Sequence, residues 1–367
     1  MPTLADIFRE YLAEYLAQNK MTRRERRTIQ ALLDCRSGQL GSTLYQCTGC
    51  GRKHVVYRSC GNRHCPQCQQ HKTRQWLEQQ QARQLFVPYF LLTFTVPARL
   101  RPFLRAHKKA GYEALFRASS QAIRKLARDP RRLGSDLPGL TAVLHTWGRQ
   151  LQYHPHLHYL VPGGGISPDR KSWLPTSDQF FLPVEALSPM FRAKFRAEMK
   201  KAQLLDQIPA KVWQQDWVVH CQTAGDGVHA LQYLARYVFR VAISNRRLLS
   251  CQKGVVTFSF TDKKTGESRR VHLKATEFIR RFLDHLLPEG FQKVRHYGFL
   301  SPTCAVPIER VRLLIAHQTG KPVLIDLGSS PPASGPFCPD CGERLRVLAV
   351  HWPGSRSFHP AFLAWTG

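Results

Sequence analysis

His154-Pro155-His156-Leu157-His158 is the densest run of chemically capable side chains in this sequence. On an extended strand successive side chains point to opposite faces. His156 and His158 then share a face while Leu157 turns into a core. Two imidazoles held on a rigid strand are preorganised for a metal ion. His154 joins that face if the strand reaches back past Pro155. Hairpin geometry supplies a third ligand. The stretches 139–148 and 154–164 both read as strands, and a turn centred on Gln150 and Leu151 sets His145 opposite His156. Cross-strand partners share a face. His154, Gln152 and a polar residue on a later helix compete for that role. A structural site normally closes with four ligands, whereas two or three histidines leave positions open for Lewis-acid work.

A tyrosine pair is the next feature. Residues 229–240 read as a helix, so Tyr233 and Tyr237 lie one turn apart on one face, with Arg236 and Arg240 beside them. Alone, such a pair reads as two amphipathic core residues. Next to a metal site it matches the tools of phosphodiester transfer. A tyrosine hydroxyl titrates near pH 10 and is a poor nucleophile at neutrality. A metal that polarises the phosphate lowers that barrier, and an arginine adds a two-pronged phosphate clamp. Covalent attachment conserves the phosphoester, so rejoining needs no nucleotide cofactor. The sequence has no G-x-x-x-x-G-K-[ST] loop.

Cysteines form the third feature. Six of the 11 lie between Cys35 and Cys68. Cys47-Thr-Gly-Cys50 and Cys65-Pro-Gln-Cys68 are two knuckles of the kind that gives zinc two thiolates each. This spacing predicts one zinc on Cys47, Cys50, Cys65 and Cys68. Cys35, His54, Cys60 and His64 are left over, with His71, and form a second site or pack as ordinary side chains. Cys338-Pro-Asp-Cys341 is half a site, with His351 or His359 available to complete it. The N-terminus lacks the basic start and apolar block of a secretion signal, so disulfides are not expected.

The charge names the partner class. Lys and Arg number 54 against 25 Asp and Glu, a formal net charge of +29, with a pI near 10.2. Such a field attracts polyanions, and backbone phosphates reward Lys and Arg whatever the base sequence. Arg23, Arg24, Arg26 and Arg27 crowd the start of a helix beginning near Thr22, where positive charge opposes the macrodipole; phosphate contact explains them better than stability, although a solvated basic face is the plainer reading. Arg63 sits among the zinc ligands. No apolar run is long enough to span a membrane.

Positioning these groups requires several elements. An amphipathic helix is expected over 4–18 with Thr3 as its cap. Further helices are expected over 72–85, 101–128, 185–205 and 228–241. FVPYFLLTFTVP reads as a buried strand, and GVVTFSF, DKKTG and SRRVHLK as a hairpin. GSSPPASGP at 328–336 reads as a linker.

As an ordered set, SCGNRHCPQC, FLLTFTVP, HTWG, HPHLHYLVPGGG, YLARYVFRVAISNRRL and RRFLDHLLPEGFQKVRHYGFL resemble the rolling-circle transposases of the insertion sequence 91 type, a two-tyrosine branch of the His-hydrophobic-His (HUH) endonucleases. The resemblance covers roughly residues 5–317. It implies an α+β fold, with a central antiparallel sheet and packed helices, preceded by a helical and Cys-rich zinc module. It implies an enzyme that nicks single-stranded DNA at element ends, leaves a 5′-phosphotyrosine on Tyr233 or Tyr237, and uses magnesium or manganese. The other tyrosine would serve the second cleavage. The expected division is 1–82 for zinc and DNA recognition, 83–325 for the nuclease, and 326–367 for a linker and short tail. A cytoplasmic, nucleoid-associated protein is expected. A plasmid replication initiator or relaxase, and a non-catalytic zinc-dependent DNA-binding protein, are the rival readings.

Overall fold

The computed structural model describes residues 1–353 apart from 69–75, 79, 82, 227–228, 230, 233–237, 239–241, 263–264 and 321–335; 354–367 also lie outside it. It is an α+β structure built on antiparallel sheets, and its chain divides into two compact units. One comprises 1–71, 243–280 and 326–367; the other comprises 72–242 and 281–325. The three consecutive segments expected from the sequence do not reproduce this division. Residues 243–280 and the tail both group with the N-terminus: Asn245 accepts from the Leu4 amide and the Gly254 amide donates to the Tyr11 hydroxyl, while β14 pairs with β1.

In the first unit, α1 (Leu4–Gln18) and α2 (Arg23–Asp34) each begin at a threonine. Thr3 and Thr22 accept from the backbone of Asp6 and Glu25, whose carboxylates accept in return from the threonine amides. This reciprocal capping satisfies amide donors that a helix start leaves orphaned. Beyond α2, β1 (Ser42–Cys47) and β2 (Lys53–Tyr57) form a hairpin.

The second unit is organised by a five-stranded sheet. Its strands are β3 (Tyr89–Thr95), β5 (Leu140–Trp147), β6 (Tyr153–Pro162), β9 (Val218–Thr223) and β13 (Val294–Tyr297), in the order β13-β5-β6-β3-β9. The basic stretch over 101–128, expected as one long helix or a helix pair, forms a pair, α3 (Arg101–Ala106) and α4 (Lys108–Ala127), broken at His107. α4 and α5 (Val184–Lys201) cover one sheet face. Tyr112, Leu115 and Ile123 of α4 and Phe191 and Phe195 of α5 enclose Leu92, Phe94, Leu157 and Tyr159. Phe94 meets Tyr159 and Phe191 edge to face, at 5.5 and 5.1 Å between centroids. A small sheet of β4 (Leu137–Pro138), β7 (Gly164–Ile166) and β8 (Trp173–Pro175) flanks it.

The opposite face carries every second residue of the same strands. Leu91, Val143 and Leu160 gather there with Leu231, Val238, Phe299, Val311 and Ile315. Val311 and Ile315 belong to α7 (Ile308–Thr319). Between β9 and α7 in sequence, β10 (Leu248–Gln252), β11 (Val255–Thr261) and β12 (Ser268–Lys274) make a meander, and α6 (Ala275–Asp284) follows it. Thr261 pairs with Ser268 across the expected hairpin turn, and Phe258 of β11 packs on Phe278 of α6. The last described strand is β14 (Leu345–His351), which pairs antiparallel with β1. No helix among the described residues is long and apolar enough to cross a membrane.

Candidate metal centres and nuclease site

Burial alternates along the first half of β6: Tyr153, Pro155, Leu157 and Tyr159 are buried, while His154, His156 and His158 are half-buried. Leu157 is fully enclosed in the core under α4 and α5. Burying such a side chain contributes roughly 1.5–3 kcal/mol, and this anchorage fixes which way its two histidine neighbours face. A one-residue slip would exchange the faces and bury the imidazoles in the apolar core.

β5 returns antiparallel with His145 directly opposite His156. The connection is a tight turn: the Gly148 amide donates to the Gln152 carbonyl at 2.9 Å, and Leu151 adopts φ +61°. Gly148 leaves room for the Gln152 side chain, whose Nε2 would stand 2.2 Å from a Cβ there. β6 carries one extra residue where the register shifts: between the His145–His156 and Trp147–Tyr153 pairs it sets His154 and Pro155 against Thr146 alone. Such bulges re-aim neighbouring side chains.

His145, His156 and His158 therefore converge, with ligand nitrogens all within 4.8 Å of one another. Ring centroids lie 5.3 Å apart for His145 and His156, and 4.8 Å for each of the other two pairs. His156 Nδ1 lies 2.6 Å from the His154 carbonyl oxygen. A carbonyl only accepts, so Nδ1 carries the proton and Nε2 presents its lone pair. Thr93 Oγ1, on the neighbouring strand β3, lies 3.1 Å from His158 Nδ1 and hydrogen-bonds to that ring. Outer partners of this kind set tautomer and ring orientation at metal sites. Trp147 stacks on His145 at 5.1 Å and walls that side. The three donors fit a divalent cation bound with open positions.

The two competing ligands are occupied otherwise. Arg101 donates to His154 Nδ1 at 2.8 Å, and burial, aided by this cation, lowers the His154 pKa. Gln152 accepts from the Gln150 amide within the turn. Arg101 itself keeps a buried Nε–H without a hydrogen-bond partner among the described residues. Arg101 and Thr93 escaped sequence reasoning. The polar Thr93 and Thr95 inside an otherwise apolar strand were the available signal for Thr93. Nearby, burial holds the His285 imidazole down to about 3 and His296 to about 4, so both are neutral near pH 7.

Tyr233, Tyr237, Arg236 and Arg240 lie outside the described residues. Leu231 and Val238, either side of that segment, are buried in the apolar cluster on the histidine face of the sheet.

The cysteines are grouped differently from the expectation. Cys35, Cys60, Cys65 and Cys68 form one tetrad, and Cys47, Cys50, Cys338 and Cys341 another. The two knuckles predicted to share an ion are thus apart. The physical reason is β2, which carries the chain away from Cys47 and Cys50 for five extended residues, roughly 16 Å at 3.3 Å per residue. At its far end Arg36 N–H donates to the Arg58 carbonyl, which brings Cys35, the C-cap of α2, beside Cys60. Of the other proposed ligands, His54 stands next to the second tetrad, 3.3 Å from Cys338 Sγ, and His64 belongs to neither. His351 pairs with Ser42 at the sheet end remote from Cys47; His71 and His359 lie outside the described residues. Arg23 and Arg63 are exposed and Arg24 half-buried.

The comparisons with known proteins agree with these features. Residues 7–96 match a family model described as "Transposase zinc-binding domain", and residues 139–307 match one described as "Putative transposase". The first holds six of the eight tetrad cysteines and the second holds all three clustered histidines. A Sinorhizobium fredii protein named "Putative transposase y4qJ" is 41% identical over 320 residues, covering 82% of this chain and 80% of its own. The "Transposase for insertion sequence element IS801" of Pseudomonas savastanoi pv. phaseolicola is 28% identical over 350 residues, covering 88% and 83%. No solved structure matches. By its two domain matches and its identity to these relatives, this chain belongs to the transposases of the insertion sequence 91 type and carries their structural zinc-binding domain.

Proposed function

We propose that this transposase nicks and rejoins single-stranded DNA at element ends through a 5′-phosphotyrosine on Tyr233 or Tyr237, beside a divalent cation held by His145, His156 and His158. The observation that carries the reading is the three-histidine cluster on the β5–β6 hairpin, with the His156 tautomer fixed by the His154 carbonyl and the His158 ring held by Thr93. When bound, magnesium or manganese supplies Lewis-acid stabilisation of charge on the scissile phosphate. The attacking tyrosine oxygen forms a bond to phosphorus as the bond to the 3′ oxygen breaks. The tyrosine proton is released, and the departing 3′ oxygen takes up a proton. In the reverse sense, an acceptor 3′-OH attacks the phosphotyrosine and frees the tyrosine. No nucleotide cofactor is consumed, because one phosphoester replaces another.

The burial of Leu231 and Val238 on the histidine face supports delivery of the intervening tyrosines to this site. Arg101, whose Nε–H has no partner among the described residues, is a further candidate for phosphate contact, beside Arg236 and Arg240. The +29 charge supports DNA as substrate and target.

A nicking assay on single-stranded DNA carrying element ends, with Mg²⁺ or Mn²⁺, tests the reading. Denaturing gels should show a covalent protein–DNA adduct. The double variant Tyr233→Phe, Tyr237→Phe should form no adduct while binding DNA as before. An adduct that persists would move the nucleophile elsewhere; wild-type binding without any adduct would favour a non-catalytic DNA-binding protein.

A further inference from the structure

Cys338 and Cys341 lie outside both family-model matches, and nothing in the nuclease reading uses them. We propose that they complete a second structural zinc site with Cys47 and Cys50, separate from the tetrad of Cys35, Cys60, Cys65 and Cys68, and that this ion locks the tail of the chain onto its N-terminal hairpin.

Sulfur geometry is the first argument. Four thiolates at about 2.3 Å from a tetrahedral zinc stand about 3.8 Å from one another. In the proposed site Cys47 and Cys341 are 3.3 Å apart and Cys50 and Cys338 3.8 Å. The other tetrad gives 3.4, 3.5 and 3.6 Å for Cys35–Cys68, Cys35–Cys65 and Cys60–Cys68. All these separations far exceed the roughly 2.05 Å of a disulfide, and every cysteine is free. Each tetrad is thus a full set of zinc ligands.

The surroundings are those of a thiolate site. The Gly49 and Cys50 amides point at Cys47 Sγ, at 3.3 and 3.4 Å. His54 Nε2 lies 3.3 Å from Cys338 Sγ and 3.9 Å from Asp340, which Arg52 holds at 3.0 Å. Such outer contacts offset the negative charge of four thiolates and steady the ligands.

Two glycines give independent evidence that the N-terminal hairpin is shaped for the tail. A Cβ on Gly49 would stand 2.7 Å from Glu343 Cγ. Gly41, at φ +88°, would place one 2.2 Å from the His351 carbonyl oxygen. At Gly41 the backbone obstacle and the positive φ exclude a side chain, at Gly49 the Glu343 side chain would have to move, and both neighbours belong to the tail. Between them β14 runs antiparallel along β1 from Cys47 opposite Leu345 to Ser42 opposite His351, with one bulge at Leu348. The Arg344 carbonyl accepts from the Thr48 amide and hydroxyl, each at 3.0 Å. Arg58 lies over the Trp352 ring at 3.7 Å.

Elemental analysis of the full-length chain tests this without DNA or nicking, so its result is independent of the nuclease reading. Wild type should carry two zinc ions per chain, one for each tetrad. Cys338→Ser with Cys341→Ser should carry one, with amide exchange across residues 345–351 accelerated roughly tenfold or more and exchange in α4 unchanged. Retention of two ions, or of tail protection, overturns the proposal. Alkylation of the wild type tests the same site without a variant. Cys50 and Cys341 are exposed, yet zinc should protect both from alkylation until a chelator removes it. Modification of either in the zinc-loaded chain overturns the proposal.

Discussion

The three-histidine cluster and the cysteine tetrads are both sets of side chains that can hold a metal ion, yet they differ in closure and in origin. The histidine site has three neutral nitrogen donors from one hairpin and leaves coordination positions open. Each tetrad has four sulfurs, which saturate a tetrahedral ion. The closed sets hold together segments with little apolar core of their own. Val56 and Tyr57 of β2 and Val347 and Val350 of β14 are all substantially exposed. The histidine strand is already held by Leu157, Tyr159 and Phe94 in a large core, so a metal there is not needed for folding. On the proposed reading, closure goes with structure and openness with chemistry.

A paired substitution is the strongest way to break that contrast. His156→Ala should reduce nicking by about two orders of magnitude or more while leaving the thermal melt nearly unchanged. Cys65→Ser should release zinc and unfold the N-terminal module, since structural zinc binding is itself folding free energy. Unfolding by His156→Ala, measured by circular dichroism, would make the histidine site structural.

A smaller effect sharpens the comparison within the open site. Thr93→Val keeps the shape of the side chain but removes the partner of His158 Nδ1. Loss of such a contact costs about 10–100-fold in metal affinity. The Mn²⁺ concentration giving half-maximal nicking should rise accordingly, with the rate at saturating Mn²⁺ much less affected. An unchanged Mn²⁺ requirement would remove Thr93 from the site.

The smallest effect is on stability. His285 is buried, with its pKa depressed from 6.5 to about 3 chiefly by desolvation. The unfolded chain therefore takes up this proton first as pH falls. The stability of the neutral folded form is fully present above about pH 6.5 and is lost progressively toward pH 3. Urea midpoints between pH 7.5 and 5 should fall, and His285→Gln should flatten that slope. His296, held near 4, adds dependence of the same sign. An identical slope in the variant would assign the effect to other groups.

The local parts of this molecule were legible in its sequence. Thr3 and Thr22 marked two helix starts. Alternation around Leu157 marked a strand with an apolar and a polar side. A turn near Gln150 and Leu151 made His145 one of several candidate partners for the histidine strand, and the bulge between the Trp147–Tyr153 and His145–His156 pairs, which no local pattern marks, decided for it. Composition alone indicated a polyanion-binding chain. Knuckle spacing indicated zinc, but not which knuckles meet. Each C-x2-C unit is a complete half-site, and spacing carries no information about which other half closes around the ion. Tertiary structure decided that: β2 separated the two N-terminal knuckles, α2 delivered Cys35 to one, and β14 returned Cys338 and Cys341 to the other. Thr93 and Arg101 entered the histidine site for the same reason, by strand neighbourhood and helix placement that no local pattern encodes.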